Sequence, residues 1–215
     1  MIFVLTTFMS EHVFANKPAP LRPKKKAGPK VNTSPFLDVL TFSGPTVLRN
    51  QNVQSLEVNG KLQFHNINVK GKAHIVGPTE NSDHGQFGSL EITGSFIASN
   101  IKTNQLVVTG NVKLRNLNVS NNTHIIGSFH AKSAHLKDLY VFGNNILLDN
   151  VYVLSILIQK MNNVHEQQVL RLKGRTVVSG NITFGSGKGI IEVGPRVIIK
   201  GRISRGAIVK KIQER

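Results

Sequence analysis

Glycine recurs in this chain at a nearly fixed step. Gly44, Gly60, Gly77, Gly94, Gly110, Gly127 and Gly143 are separated by 16, 17, 17, 16, 17 and 16 residues. Spacing that regular over about a hundred residues marks an internal repeat, one supersecondary unit copied about seven times. Stacked repeats offer long surfaces and two ends rather than a deep cleft.

With each glycine as position zero, apolar residues fall at +2 and +4, at +7 and +9, and near +12 and +14. Leu62, Phe64, Ile67, Val69 and Ile75 follow Gly60; Val112, Leu114, Leu117, Val119 and Ile125 follow Gly110. Each pair is an inward–outward–inward strand fragment of period two, and the step of three between pairs breaks the alternation at a corner. Three strands and three corners per copy predict an all-β, single-stranded, three-sided parallel β-helix of about seven to nine coils, about 4.8 Å apart. Leu62, Ile67, Leu114, Leu117 and Leu136 then belong in the core. The repeated glycines read as one corner, at positive φ. Asn50, Asn66, Asn100 and Asn116 at +6, with Asn150 one place later, read as a second. Asparagine tolerates the left-handed conformation, and its amide can bond its equivalents in adjacent coils.

The copies are not uniform. Residues 78–85 read as a polar excursion that has lost its first strand. The register slips by one after Gly143, giving Ile146, Leu148, Val151 and Val153. Residues 159–168 interrupt with polar side chains. Beyond them the pattern resumes at Val169, Leu170, Leu172, Val177, Val178, Ile182 and Phe184, and Ile190, Val193, Val197 and Ile199 suggest one or two final, shorter turns. The domain reading is a β-helix over residues 35–204, interrupted at 159–168, followed by a basic tail at 205–215.

The N-terminal residues read differently. Residues 1–15 are mostly apolar, and Val13 and Ala15 fit a signal-peptide cleavage rule. The alternative is a membrane-touching segment. Residues 16–34 hold four of the eight prolines and a lysine run, the composition of a disordered linker.

Lysine and arginine number 27 against 11 acids, a net charge of +16, which implies an anionic partner such as an envelope polymer or a membrane surface. Lys24, Lys25, Lys26 and Lys30 before the repeat, and Arg202, Arg205, Lys210 and Lys211 at its far end, are the candidate contacts. The remaining charge reads as scattered over outward positions. Aromatic interleaving is sparse, so nucleic acid is not expected as a partner. Cysteine is absent, which excludes a thiolate metal site, a disulfide scaffold and a cysteine nucleophile.

No catalytic, cofactor or metal constellation is expected. Glu57 and Glu91 share a template position two coils apart, hence about 10 Å, beyond the separation of a glycosidase pair. A polysaccharide-acting enzyme is therefore the third reading of function. His74 and His124 share a position about three coils apart, too far for one metal ion. Residues 185–189 (Gly-Ser-Gly-Lys-Gly) lack the full spacing of a phosphate loop and read as a turn. A left-handed hexapeptide helix would need about eighteen residues per coil, and the period here is shorter.

The strand endings that close on glycine are Leu56-Glu-Val-Asn-Gly60, His74-Ile-Val-Gly77, Leu90-Glu-Ile-Thr-Gly94, Leu106-Val-Val-Thr-Gly110 and Val177-Val-Ser-Gly180. With a period near seventeen and tails on both sides, this pattern resembles the bactofilins, the polymer-forming bacterial cytoskeletal proteins, over roughly residues 40–200. The resemblance implies a right-handed β-helix that joins end to end without nucleotide and scaffolds envelope enzymes, as a homo-polymer. It also implies a cytoplasmic place at the inner membrane face, whereas residues 1–15 point to the periplasm or secretion. The open strand edges of a β-helix end are templates for another copy. Phe36, Leu37, Leu40 and Phe42 are the candidate self-association residues. The rival reading is a secreted or periplasmic basic module that lays a β-helix face on an anionic envelope polymer or host surface.

Overall fold

The structure, a computed structural model, describes residues 37–81, 83–159 and 167–211; at residues 37, 38, 210 and 211 only the backbone is described. In chain order the strands are β1 (Leu37–Ser43), β2 (Thr46–Asn59), β3 (Leu62–Val76), β4 (Thr79–Asn81), β5 (Gly85–Thr93), β6 (Phe96–Thr109), β7 (Val112–Ile126) and β8 (Phe129–Phe142). They continue as β9 (Asn145–Gln159), β10 (Val169–Lys173), β11 (Val177–Val178), β12 (Ile182–Phe184), β13 (Gly189–Val193), β14 (Ile198–Ile199), β15 (Ile203–Ser204) and β16 (Gly206–Lys211). Helix is absent among the described residues.

All sixteen strands belong to one sheet, and each pairing is parallel. β10, β11 and β12 pair in turn with three successive stretches of β9, so one coil has three sides. In most earlier coils a single long strand bends around all three. The result is the expected β-solenoid, of about ten turns rather than seven to nine.

The five residues placed inward by the template, Leu62, Ile67, Leu114, Leu117 and Leu136, are buried. Core columns run along the axis, and neighbouring columns complement one another in size. Phe96 and Phe129 occupy one column, and Ala98 and Ala131 leave room beside them in the next. Gly85 sits between Ile67 and Ile101 in one core column. A Cβ there would strike the rings of Phe64 and Phe87, which already fill the space and meet edge to face at 5.6 Å.

The glycine corner has two causes. Gly60, Gly77, Gly94, Gly110 and Gly127 hold φ between 135° and 146°, where L side chains are strained. A Cβ at each would also collide with the backbone carbonyl of the glycine one coil before. Gly143 does not share the positive φ, which corrects the sequence reading. It is glycine because the Gly127 carbonyl occupies the site of its Cβ.

At the second corner Asn50, Asn66, Asn100, Asn116 and Asn150 all hold φ between 50° and 57°. Asn66 Nδ2 donates to Asn50 Oδ1, and Asn116 Nδ2 to Asn100 Oδ1, each at 2.9 Å. Ser133 takes this corner after Gly127, at φ 56°. Asn150 instead donates to Asp149 Oδ1 and accepts from the Arg175 backbone N–H. The alternation between 16 and 17 residues is absorbed at corners. Register shifts fall between Val53 and Leu56, between Val69 and Lys72, and between Val119 and Asn122, so the faces stay in line.

Four sequence expectations need correction. The excursion after Gly77 keeps its first strand. β4 pairs with β3 and β6, and Thr79 and Asn81 point into the core. Asn81 is tolerated inward because it is bonded: its Nδ2 donates to the Asp83 and Ser99 carbonyls, and its Oδ1 accepts from Asp83 N–H. The interruption at 159–168 is narrower, since Gln159 pairs with Phe142 and Gln168 is buried; residues 160–166 lie outside the described residues. The last turns are not shorter: they step by 21 residues from Val169 to Ile190 and from Val177 to Ile198, and by 17 from Ile190 to Ala207. Finally, β16 pairs with β13, so the sheet runs on to Lys211 through the first part of the expected tail.

Candidate functional site

Consider first the two ends. Among the described residues β1 pairs only with β2, and β14, β15 and β16 pair only with β11, β12 and β13. Leu40 and Phe42 face the Leu56 and Val58 positions of the next coil and remain half-buried, as a terminal core layer does. Leu37 belongs to β1 by its backbone, and Phe36 lies outside the described residues. Among the described residues, five of the ten exposed large apolar side chains lie in the terminal coils: Val39 and Val47 at one end, Ile198, Ile208 and Val209 at the other. Apolar exposure is thus concentrated where backbone edges are unpaired.

The predicted anionic contacts separate. Arg202 and Arg205 are exposed beside the last coil, and Arg205 makes its turn at φ 58°. Lys210 and Lys211 are in β16, described by backbone alone, and Lys24, Lys25, Lys26 and Lys30 lie outside the described residues.

Glu57 and Glu91 do share one outward column, with His74 between them. Lys72 pairs with Glu91, and that bond, more than any Coulomb effect, holds Glu91 below the usual carboxylate range. The column continues through Val107 to His124, which stacks on Tyr140 at 4.6 Å. His74 and His124 are therefore three coils apart, as the period predicts. Among the described residues, three or more His, Cys, Asp or Glu side chains nowhere gather around a point that could hold a metal. The Gly185–Gly189 stretch is a turn between β12 and β13 with no helix after it. Gly189 is glycine because the Phe184 ring abuts it.

A feature absent from the sequence reading lies on the face that carries positions +3 and +5. Two outward columns there flank a groove of about 380 Å³. Lys113 and His130 are successive members of one column, Arg115 and Lys132 of the other. Its floor is the backbone at Ala98, Leu114 and Ala131, and Ile97 and Leu147 close its ends. Lys132 approaches Asp149 at 3.8 Å. Burial, reinforced by Lys113 and Arg171, holds the His130 imidazole below the ordinary histidine range. Farther along the same face a second hollow, lined by Gln63, His65, Glu80 and Asn81, meets the first at Ile97. Its Glu80 is bonded by Gln63 at 3.2 Å and paired with Lys61 at 3.1 Å. Part of the charge read as scattered is thus stacked. The signal was present, since the coils after Gly110 and Gly127 both carry basic residues at +3 and +5.

The chain matches no family model, no curated protein and no solved structure.

Proposed function

We propose that this chain is a non-enzymatic structural protein. Its solenoid self-associates end to end and scaffolds a bacterial cell envelope from the periplasmic or outer side, in the manner of the bactofilins it resembles. The observation that supports this reading is the coincidence, at both described ends, of one-sided strands with exposed apolar residues. Such an edge extends by the backbone pairing that already joins coil to coil, and a head-to-tail contact that does not close gives a filament. Negative-stain microscopy of the purified chain at physiological salt tests it. Rods longer than one solenoid are expected, and uniform single particles would refute it.

A second reading has its own observation. The stacked basic groove favours a module that holds an anionic envelope polymer along the rod. The two readings are compatible, since one uses the ends and the other a face.

A further inference from the structure

We propose that the basic half of the groove is a binding site for a linear polycarboxylate, an extended acidic polysaccharide lying parallel to the solenoid axis. The proposal rests on the second reading above and gives it a site and a ligand class.

Charge comes first. Among the described residues, several cations on the faces have carboxylate partners: Lys61 with Glu80, Lys72 with Glu91, Arg171 with Glu192. Lys113 and Arg115 have none. They stand side by side on one coil, across the groove from each other, with His130 and Lys132 next along the axis. Unneutralised cations on both rims focus potential into the hollow between them.

Geometry comes second. The columns repeat about every 4.8 Å along the axis. An extended polyuronate offers one carboxylate per sugar ring, a repeat commensurate with one coil. The groove runs from the Ile97 coil to the Leu147 coil, three steps or about 14 Å, room for about three rings. Arg115 supplies the planar fork that takes a carboxylate through two hydrogen bonds. Ile97 and Leu147 offer apolar surface to the C–H faces of the sugars.

The lining also argues against the other common polyanion. A single-stranded nucleic acid is held by bases stacked on aromatic platforms, and His130 is the one ring among the residues that line this half. Asp149 closes the far end with negative charge and draws Lys132 toward it. An incoming carboxylate competes for that lysine.

Titration calorimetry of the full chain with oligogalacturonate, at low and physiological salt, is the test. Wild type is expected to bind and to weaken as salt rises. Lys113→Ser with Arg115→Ser should weaken binding at least about tenfold, the loss of about 1.4 kcal/mol, and flatten the salt dependence. Both side chains are exposed, so the fold is kept, and an unchanged circular dichroism spectrum checks this. Lys102→Ser with Lys200→Ser removes the same charge from outside the groove and should leave binding intact. Equal losses in the two double variants would overturn the groove while leaving an anion-binding protein. Tighter groove-dependent binding of a single-stranded oligonucleotide or of polyphosphate would overturn the polycarboxylate. No binding to any of the three polymers would overturn the second reading along with the site.

Discussion

Between Gly44 and Gly143 each coil takes 16 or 17 residues, and most coils turn on the same two backbone devices. Beyond Asn145 the step jumps to 24, from Asn145 to Val169, and then to 21, from Val169 to Ile190. The first region solves its corners with conformation. Glycines stack carbonyl over Cα at φ values near 140°, and asparagines stack at φ near 50°. The second keeps such corners, with Gly174, Gly187 and Arg205 at positive φ and the Gly180 carbonyl at the site of a Gly201 Cβ, and adds side-chain bonds. Thr176 Oγ1 donates to the Lys173 carbonyl at 2.6 Å and accepts from Val151 N–H at 3.2 Å. Asn150 Oδ1 and Asn181 Oδ1 accept from the backbone N–H groups of Arg175 and Arg202. A steric corner excludes a side chain at the glycine, because an extra Cβ has nowhere to go. The added side-chain bonds tie down the longer turns of this region.

The sharpest way to break this comparison is to place the same substitution in both regions. Gly110→Ala combines positive φ with a collision against the Gly94 carbonyl, and should cost about 3–5 kcal/mol. Gly187→Ala, at φ 74° with open space around it, should cost about 1–2 kcal/mol. Equal midpoint shifts in urea unfolding would remove the steric account of the glycine column.

Next in size come the other corners. Asn66→Ala forces a left-handed φ on alanine and breaks the bond to Asn50, together about 2 kcal/mol. Asn66→Gly should recover about half of that by relieving the backbone alone. Thr176→Val keeps shape but leaves the Val151 N–H without its hydroxyl partner, a loss of about 1–3 kcal/mol. Thermal melts of the three variants rank them, and a Gly variant no better than the Ala variant would mean that conformation is not what the asparagine supplies.

A smaller effect should have the opposite sign. Ser133 holds φ 56° at a corner where its equivalents are asparagine. Ser133→Asn should stabilise by about 0.5–1 kcal/mol, seen as a rise in Tm.

The smallest effect is a pH response. The folded state holds His130 below its ordinary range, through burial first and then Lys113 and Arg171. The unfolded chain therefore takes up the proton first as pH falls through about 6.5. That histidine's contribution to stability is full above this pH and declines below it. His130→Gln should flatten the acid side of a Tm–pH curve slightly, and a steeper curve would reverse the assigned direction.

What the sequence displayed was what short-range sterics control. Gly60 through Gly127, the +6 asparagines and the inward Leu62, Leu114 and Leu136 each announce themselves by spacing alone. Thr79 and Asn81 did not, because hydrogen bonds formed in three dimensions let polar side chains take core positions. β16 did not, because a strand rich in lysine reads as a tail until its partner β13 is known. The groove was half legible. Lys113, Arg115, His130 and Lys132 sit at repeating offsets, yet only the register of β7 against β8 puts them beside one another.

The central claim is that the ends of this solenoid join. Sedimentation of wild type at tens of micromolar, at low and physiological salt, tests it most directly, alongside Leu40→Arg in the terminal core layer and Val39→Lys on the exposed side of β1. The account predicts a wild type that sediments as assemblies at both salts, and variants with native circular dichroism that sediment as single chains, because a charge in a docked edge is costly to bury. A wild type that stays monomeric at both salts, or a folded Val39→Lys variant that assembles as wild type does, would contradict it.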